Sequence, residues 1–361
     1  MTRRENALQP RAALEQIGRY HPGRKTPGKI KLSSNENPLG SSPVALKAIQ
    51  NALGELARYP NGSAPQLRSA LADRFGVSCD EVLVGNGSDE LMMLAAGAYV
   101  DPGTNAVIGE HTFSQYEFVT RLFGGEVRVA AMPDGCFNLE AMRQRVDGHT
   151  RLLFLCNPNN PTGRYIPERD LTEFLERLPK HVLVVLDEAY SEYAEAPDFP
   201  QGVSLLRRFA NLVVLRTYSK IYGLAGLRVG YGFAHPEVIE TLARVKQPFT
   251  VGNLGQAGAL AALEDNDFIK RSLETNSAGK RYMYAELQRL RLSFYPTEAN
   301  FLCIQLTASA EIAFEVLQHH GVTVRALGSF GLPHALRITV GTAEQNQMVV
   351  AGLEDLQRRM E

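Results

Sequence analysis

Residues 211–233 read NLVVLRTYSKIYGLAGLRVGYGF. An apolar run leads into a polar loop with a single lysine, Lys220, and a second apolar run, LRVGYGF, carries Arg228 into the interior. Nearly continuous Val, Leu and Ile runs mark strands buried on both faces, as in a mainly parallel sheet covered by helices. Five more such runs precede this pair: EVLVG (81–85), NAVIG (105–109), EVRVA (126–130), RLLFLC (151–156) and HVLVVLD (181–187). Between them lie helix signals. SPVALKAIQNALGEL starts with Ser42 as an N-cap and Pro43 at the first helical position. SDELMMLAAGAYV, SQYEFVTRLFG and PERDLTEFLERL carry apolar residues three and four apart. Strands alternating with helices predict an α/β layered fold.

After about residue 250 the texture changes. A long helical stretch runs to about residue 290. It is followed by ANFLCIQL, a helix in ASAEIAFEVLQHHG, a strand in ALRITV and a closing helix in AEQNQMVVAGLEDLQRR. The expected organisation is an N-terminal arm over 1–30, a large α/β domain over 31–250 and a small C-terminal α+β domain over 251–361.

Composition narrows the function. The 361 residues carry a formal net charge of −1, with both signs mixed along the chain. That offers no broad positive field for a nucleic-acid backbone. The basic segment RKTPGKIK (24–31) reads as a solvated loop. Cys79, Cys136, Cys156 and Cys303 are widely spaced and form no C-x-x-C pair, so neither a disulfide frame nor a zinc or other metal site is expected. The first residues lack the apolar core of a secretory signal, and no apolar run has the length of a membrane span. The expected setting is the cytoplasm, with no membrane or nucleic-acid partner.

In open α/β sheets ligands sit beyond the C-terminal ends of the strands, so the residues that follow each run are the candidates. After EVLV comes GNGSDE, where Gly85 and Gly87 allow a tight turn and Ser88 is placed to cap a helix whose N-terminus can hold an anion. After RLLFLC comes NPNNPTG, a stiff turn in which Asn157 is the first polar side chain past the strand. After HVLVVL comes DEAY. The Asp187 carboxylate there is costly to bury without a cation or protonated nitrogen, and Tyr190 stands three residues on. After NLVVL comes Lys220, an amine in a confined setting that can lose its proton and attack an aldehyde. Ser219 and Arg228 flank it. Taken singly, each has a plainer reading as a turn, a cap, an ion pair or a solvated lysine. Taken together they describe one ligand: an aldehyde for Lys220, a ring nitrogen for Asp187, a ring hydroxyl for Asn157 and Tyr190, and a phosphate for Ser88, Ser219 and Arg228. Pyridoxal 5′-phosphate has those four features.

NPNNPTG, DEAY and SKIYGLAGLRVGYG, in this order, resemble the fold-type I pyridoxal-phosphate aminotransferases. With LSSNENPLG (32–40), RYPNG (58–62) and LRITVGT (336–342), the chain closely resembles the histidinol-phosphate aminotransferase family from about Tyr20 to Thr342. The resemblance implies a homodimer that moves an amino group between histidinol phosphate and 2-oxoglutarate. It implies that Lys220 holds the cofactor as a Schiff base and moves a proton, with Asp187 on the ring nitrogen and Asn157 and Tyr190 on the ring oxygen. Phe113 in HTFSQY would stack on the ring, and Ser88, Asp89, Ser219 and Arg228 would bind the cofactor phosphate. Tyr59 would reach the phosphate of the partner subunit. Tyr20 and Arg325 would hold the substrate phosphate, and Arg337 the substrate's anionic group or the glutamate carboxylate. Two positions depart from the family pattern: His111, where a proline precedes TF, and Thr250, where an asparagine follows QPF.

Other functions stay open at this point. An aromatic amino acid aminotransferase would share the cofactor motifs and would favour phenylalanine or tyrosine as donor. A threonine-phosphate decarboxylase would release carbon dioxide with no acceptor keto acid. A cofactor-sensing regulator would carry a DNA-binding module ahead of this domain, whereas only a short arm precedes LSSNENP. A nicotinamide dehydrogenase is disfavoured because VGNGSDE lacks the third glycine of G-x-G-x-x-G.

Overall fold

The computed structural model describes residues 9–19 and 26–360. Its strands are β1 Ile30–Lys31, β2 Val82–Gly85, β3 Asn105–Gly109, β4 Glu126–Ala130, β5 Thr150–Cys156, β6 Leu183–Asp187, β7 Leu212–Thr217, β8 Gly230–Ala234, β9 Ser293–Tyr295, β10 Phe301–Gln305, β11 Val322–Thr323, β12 Arg325–Ala326 and β13 Ala335–Thr339. Its α-helices are α1 Pro43–Ala52, α2 Pro65–Phe75, α3 Gly87–Tyr99, α4 Gln115–Leu122, α5 Leu139–Gln144, α6 Glu168–Arg177, α7 Gly202–Leu205, α8 Pro236–Val245, α9 Asn253–Glu264, α10 Asn266–Arg289, α11 Ala310–His319 and α12 Ala343–Met360.

Seven strands form the main sheet in the order β2-β8-β7-β6-β5-β3-β4. All pairings are parallel except the two made by β8. The reason lies in the connection. A parallel return needs a crossover of a dozen or more residues, usually with a helix. Here residues 218–229 form a compact loop with only a 3₁₀ turn, Ala225–Leu227, so the chain comes straight back. Strands β6 and β7 are buried at every position, which is why their sequences show no polar alternation. At the edge, β4 is partly exposed. The α/β class with a mainly parallel sheet follows the expectation.

The second sheet is antiparallel, in the order β12-β13-β10-β9, and packs in one apolar cluster with residues of α10, α11 and α12. Two features depart from the expected boundaries. Strand β1 pairs in parallel with β11, and Leu32 is buried in the second cluster, so the start of the expected large domain belongs to the second core. Helix α9 packs on α1, and its Ala259, Ala262 and Leu263 join the first core, which therefore extends past residue 250. The change of texture at 250 marks the end of strand–helix alternation, not the end of the core. In α9 the sequence GQAGALAAL is rich in small residues. A Cβ on Gly258 would lie 2.8 Å from Leu227 and 3.0 Å from Ile49, so the close approach is what its glycine permits. Helix α10, 24 residues long, then runs from the first core, at Ile269 and Leu273, to the second, at Met283 and Leu287.

Candidate active site

At the C-terminal edge of the main sheet, facing the second sheet, lies a cavity of about 240 Å³. Strands β2, β3, β5, β6 and β7 all end there, and β8 begins there. The loops after them therefore converge, as the position of a ligand site in an open α/β sheet requires.

The first wall carries the amine and the carboxylate. After β7 the chain turns at Gly223, where φ is 67° and a Cβ would sit 2.0 Å from the Gly40 carbonyl oxygen, so only glycine fits. That turn holds Lys220 inside. Its Nζ donates to the Ser34 carbonyl at 3.1 Å and lies 5.5 Å from the centroid of the Tyr190 ring. Burial, aided by the positive charge of Arg337, lowers its pKa to about 8. Asp187, the last residue of β6, is buried. Its Oδ2 accepts from the Tyr116 hydroxyl at 2.7 Å and its Oδ1 from the Ala189 amide at 3.1 Å. Burial raises its pKa to about 6 even though both hydrogen bonds pull the other way. Its cross-strand neighbour Cys156 also lines the cavity, but burial and the adjacent carboxylate push that thiol up, away from the reactive thiolate. The Tyr190 hydroxyl accepts from Asn35 Nδ2 at 2.9 Å. Phe113 supplies an aromatic face and meets Tyr116 edge-on, with ring centroids 5.7 Å apart.

The second wall is built for an anion. Arg228 adopts a left-handed backbone (φ 54°) just before β8. It donates from Nη2 to Asp89 Oδ2 at 3.1 Å and from Nη1 to Ser219 Oγ at 3.4 Å. Helix α3 begins at Gly87 with Asn86 at its N-cap, two residues earlier than a Ser88 cap implies. Ser88 therefore sits in the first turn instead of capping it, and the N-cap Asn86 makes no side-chain cap. The first-turn amides of α3 thus keep their capacity for a negative group. Ser88, Asp89, Ser219 and Arg228 all line the cavity at this end.

The third wall comes from the second sheet. Arg325 and Arg337 are cross-strand partners on β12 and β13. Arg337 donates from Nη1 to Asn160 Oδ1 and from Nη2 to the Ser33 carbonyl at 2.7 Å. The Arg325 guanidinium lies 6.0 Å from the centroid of the Phe330 ring.

The structure thus brings together Lys220, Asp187, Tyr190, Phe113, Ser88, Asp89, Ser219, Arg228, Arg325 and Arg337. Asn157 is not among them. Its side-chain oxygen accepts from the Ile166 amide at 2.8 Å and its nitrogen donates to the Ile166 carbonyl at 3.2 Å, so its amide closes the NPNNPTG turn instead of facing a ligand. The asparagine that lines the cavity is Asn160. Both stand before cis prolines, Pro158 and Pro161, and position along the strand alone does not separate them. Tyr59 also lies away from the cavity, 83% exposed and stacked on Phe249 with ring centroids 4.9 Å apart. Tyr20 lies outside the described residues. The sequence reading missed Tyr116 and Asn35. Tyr116 stands one helical turn after Phe113, and Asn35 lies in the quoted LSSNENPLG, so spacing from a recognised motif could have found both.

Residues 27–353 match the family described as aminotransferase class I and II. The chain is 47% identical to histidinol-phosphate aminotransferase 2 of Pseudomonas fluorescens, across 90% of this chain and 88% of that one. It is 42% identical to histidinol-phosphate aminotransferase of Anoxybacillus flavithermus, across 95% of each. Among solved structures it superposes with a TM-score of 0.88 on the histidinol-phosphate aminotransferase of Sinorhizobium meliloti in complex with pyridoxal-5′-phosphate. Identity is 26%, over 97% of this chain and 98% of that one. A second similar structure, a putative histidinol-phosphate aminotransferase from Erwinia carotovora atroseptica, gives a TM-score of 0.86 at 29% identity, over 94% and 99% of the two chains. With a family match over most of its length and relatives this similar, the chain belongs to the class I and II aminotransferase family.

Proposed function

We propose that this enzyme, with pyridoxal 5′-phosphate as its cofactor, transfers an amino group between histidinol phosphate and 2-oxoglutarate. One observation carries the reading. A single cavity holds a half-buried amine and a buried carboxylate between an anion pocket on one side and two arginines on the other. When bound, the cofactor supplies an electron sink for the charge left on the substrate's α-carbon. Asp187 holds a proton on the ring nitrogen, and Tyr116 fixes the carboxylate that does so. Asn160 and Tyr190, which both line the cavity, would hold the ring oxygen, with Asn160 in the role that the sequence alone suggested for Asn157. Ser88, Ser219, Arg228 and the first turn of α3 take the cofactor phosphate, while the Asp89 side chain orients Arg228. Phe113 covers the ring face. Lys220 Nζ, with its pKa lowered to about 8, is neutral often enough near physiological pH to accept the α-carbon proton and return it. Arg325, with Tyr20, takes the phosphate of histidinol phosphate. Arg337 takes the carboxylate of glutamate.

The same reading makes the active unit a homodimer, with Tyr59 reaching the cofactor phosphate of the other copy. It is supported by the exposed apolar side chains Val44, Leu53, Leu56 and Tyr59, close together in the sequence, with Phe249 stacked on Tyr59. An N-terminal arm, a large part and a small part remain the proposed division, with α9 assigned to the large part. The cytoplasm is the proposed setting, and among the described residues no helix is long and apolar enough to cross a membrane.

Steady-state assays over a panel of amine donors test the function. The expected result is a kcat/KM for histidinol phosphate at least ~100-fold above that for phenylalanine or tyrosine, because a site shaped to hydrogen-bond the phosphate discriminates against a donor that lacks it. In Arg325→Ala that preference collapses while activity on plain amino acids persists. A preference for aromatic donors in the unmodified enzyme would overturn the reading.

A further inference from the structure

None of the roles above uses His111. It follows β3, two residues before the cavity-lining Phe113, with a side chain about one-sixth exposed. Its Nδ1 lies 2.8 Å from the carbonyl oxygen of Phe330. A carbonyl oxygen can only accept, so Nδ1 carries the proton and the imidazole is the donor. The ring also packs on Gly331: a Cβ there would come within 3.1 Å of His111 Cε1, at a φ of 76° that already favours glycine. The post itself is fixed. The His111 carbonyl accepts from Asn159 Nδ2 at 2.8 Å, and Asn159 Oδ1 accepts from the Thr112 hydroxyl at 2.8 Å. His111 thus ties the NPNNPTG turn, which belongs to the main sheet, to the Gly328–Phe330 turn of the second sheet. That turn is otherwise closed by short local hydrogen bonds to the carbonyls of Leu327 and Gly328. Phe330 lines the cavity and lies beneath the guanidinium of Arg325.

We propose that His111 is a positioning residue for substrate specificity: through Phe330 it sets where Arg325 stands, and so tunes recognition of the phosphate end of the substrate. This rests on the reading of Arg325 as the phosphate-binding arginine. A residue without a donor at 111 leaves the Phe330 turn untied, whereas asparagine can place its amide nitrogen near the position of Nδ1 and keep the tie.

The test compares the unmodified holoenzyme with His111→Ala and His111→Asn, each checked for an unchanged thermal midpoint. The two half-reactions, with histidinol phosphate and with glutamate, are measured separately. Calorimetric titration with inorganic phosphate provides a readout independent of turnover. In His111→Ala the KM for histidinol phosphate is expected to rise about 3- to 10-fold, the cost of one hydrogen bond. Phosphate affinity falls in parallel, while kcat and the glutamate KM stay within about twofold. His111→Asn restores most of the loss. An unmodified enzyme that uses histidinol phosphate, with His111→Ala indistinguishable from it, overturns the proposal alone. So does a His111→Ala effect of equal size on both substrates, or a lack of rescue by asparagine. An unmodified enzyme that does not use histidinol phosphate removes the functional reading, and this proposal with it.

Discussion

Two ionisable residues on one wall of the cavity, the half-buried Lys220 and the buried Asp187, carry opposite pKa displacements, and each displacement predicts a measurable pH dependence. Burial and the charge of Arg337 hold Lys220 at about 8. Capture of pyridoxal 5′-phosphate by the apoenzyme, followed by absorbance, should therefore speed up as pH rises through about 8 and level off above it. Arg337→Gln should move that midpoint upward, since it removes a neighbouring positive charge, and an unmoved midpoint would exclude the electrostatic coupling. Asp187 is raised from 3.8 to about 6. Between those values the folded state binds more protons than the unfolded one. Its ionisation therefore costs the apoenzyme stability as pH rises through that window. Asp187→Asn, which can accept from Tyr116 or from the Ala189 amide but not from both, should gain stability over the unmodified apoenzyme by up to ~3 kcal/mol as pH rises from 4 to above 6, two pKa units at about 1.4 each. The gain should vanish near pH 4. Thermal melts of both apoproteins across pH 4–8 check this, and a gain independent of pH would contradict it.

At the scale of elements, the anion pocket depends on β8 lying directly against the first turn of α3. A Cβ on Gly230 would fall 2.3 Å from the Ser88 amide nitrogen and 2.4 Å from the Gly87 carbonyl carbon, both backbone atoms that cannot swing aside. Gly230→Ala is expected to weaken cofactor binding at least ~10-fold and to destabilise the fold by about 1–3 kcal/mol, the usual cost of overpacking. Equilibrium dialysis of the cofactor and thermal melts would measure both, and a variant with unaltered affinity would show that the junction is not part of the pocket. These elements also show why the sequence was readable where it was. Doubly buried strands must be nearly all apolar, so β5, β6 and β7 announced themselves, and the polar residues after them marked the ligand edge. Asn157 and Asn160 share a residue type, a following proline and a place after one strand, and only the position of the Ile166 backbone, which pairs with Asn157, decides which amide is spent on the turn. Tyr116 was hidden for a related reason, because it acts through Asp187 and its sequence position resembles that of an ordinary core aromatic.

Across the whole molecule, the cavity exists because two cores meet, and residues far apart in sequence close it. Asn160 and Ser33 bind Arg337, and Asn35 binds Tyr190. The boundary expected at residue 250 missed this interleaving, since α9 returns to the first core and β1 joins the second. The proposed homodimer adds a third contributor. Light scattering should give a dimer, and Tyr59→Ala should weaken cofactor affinity while leaving the mass unchanged; a monomer of full activity would contradict the assembly. The central claim is that the Lys220 amine carries the cofactor. Borohydride reduction of the holoenzyme followed by tryptic mapping tests it most directly. One modified peptide is expected, residues 217–228, left uncleaved at Lys220. A label on any other lysine, or on none, would contradict it.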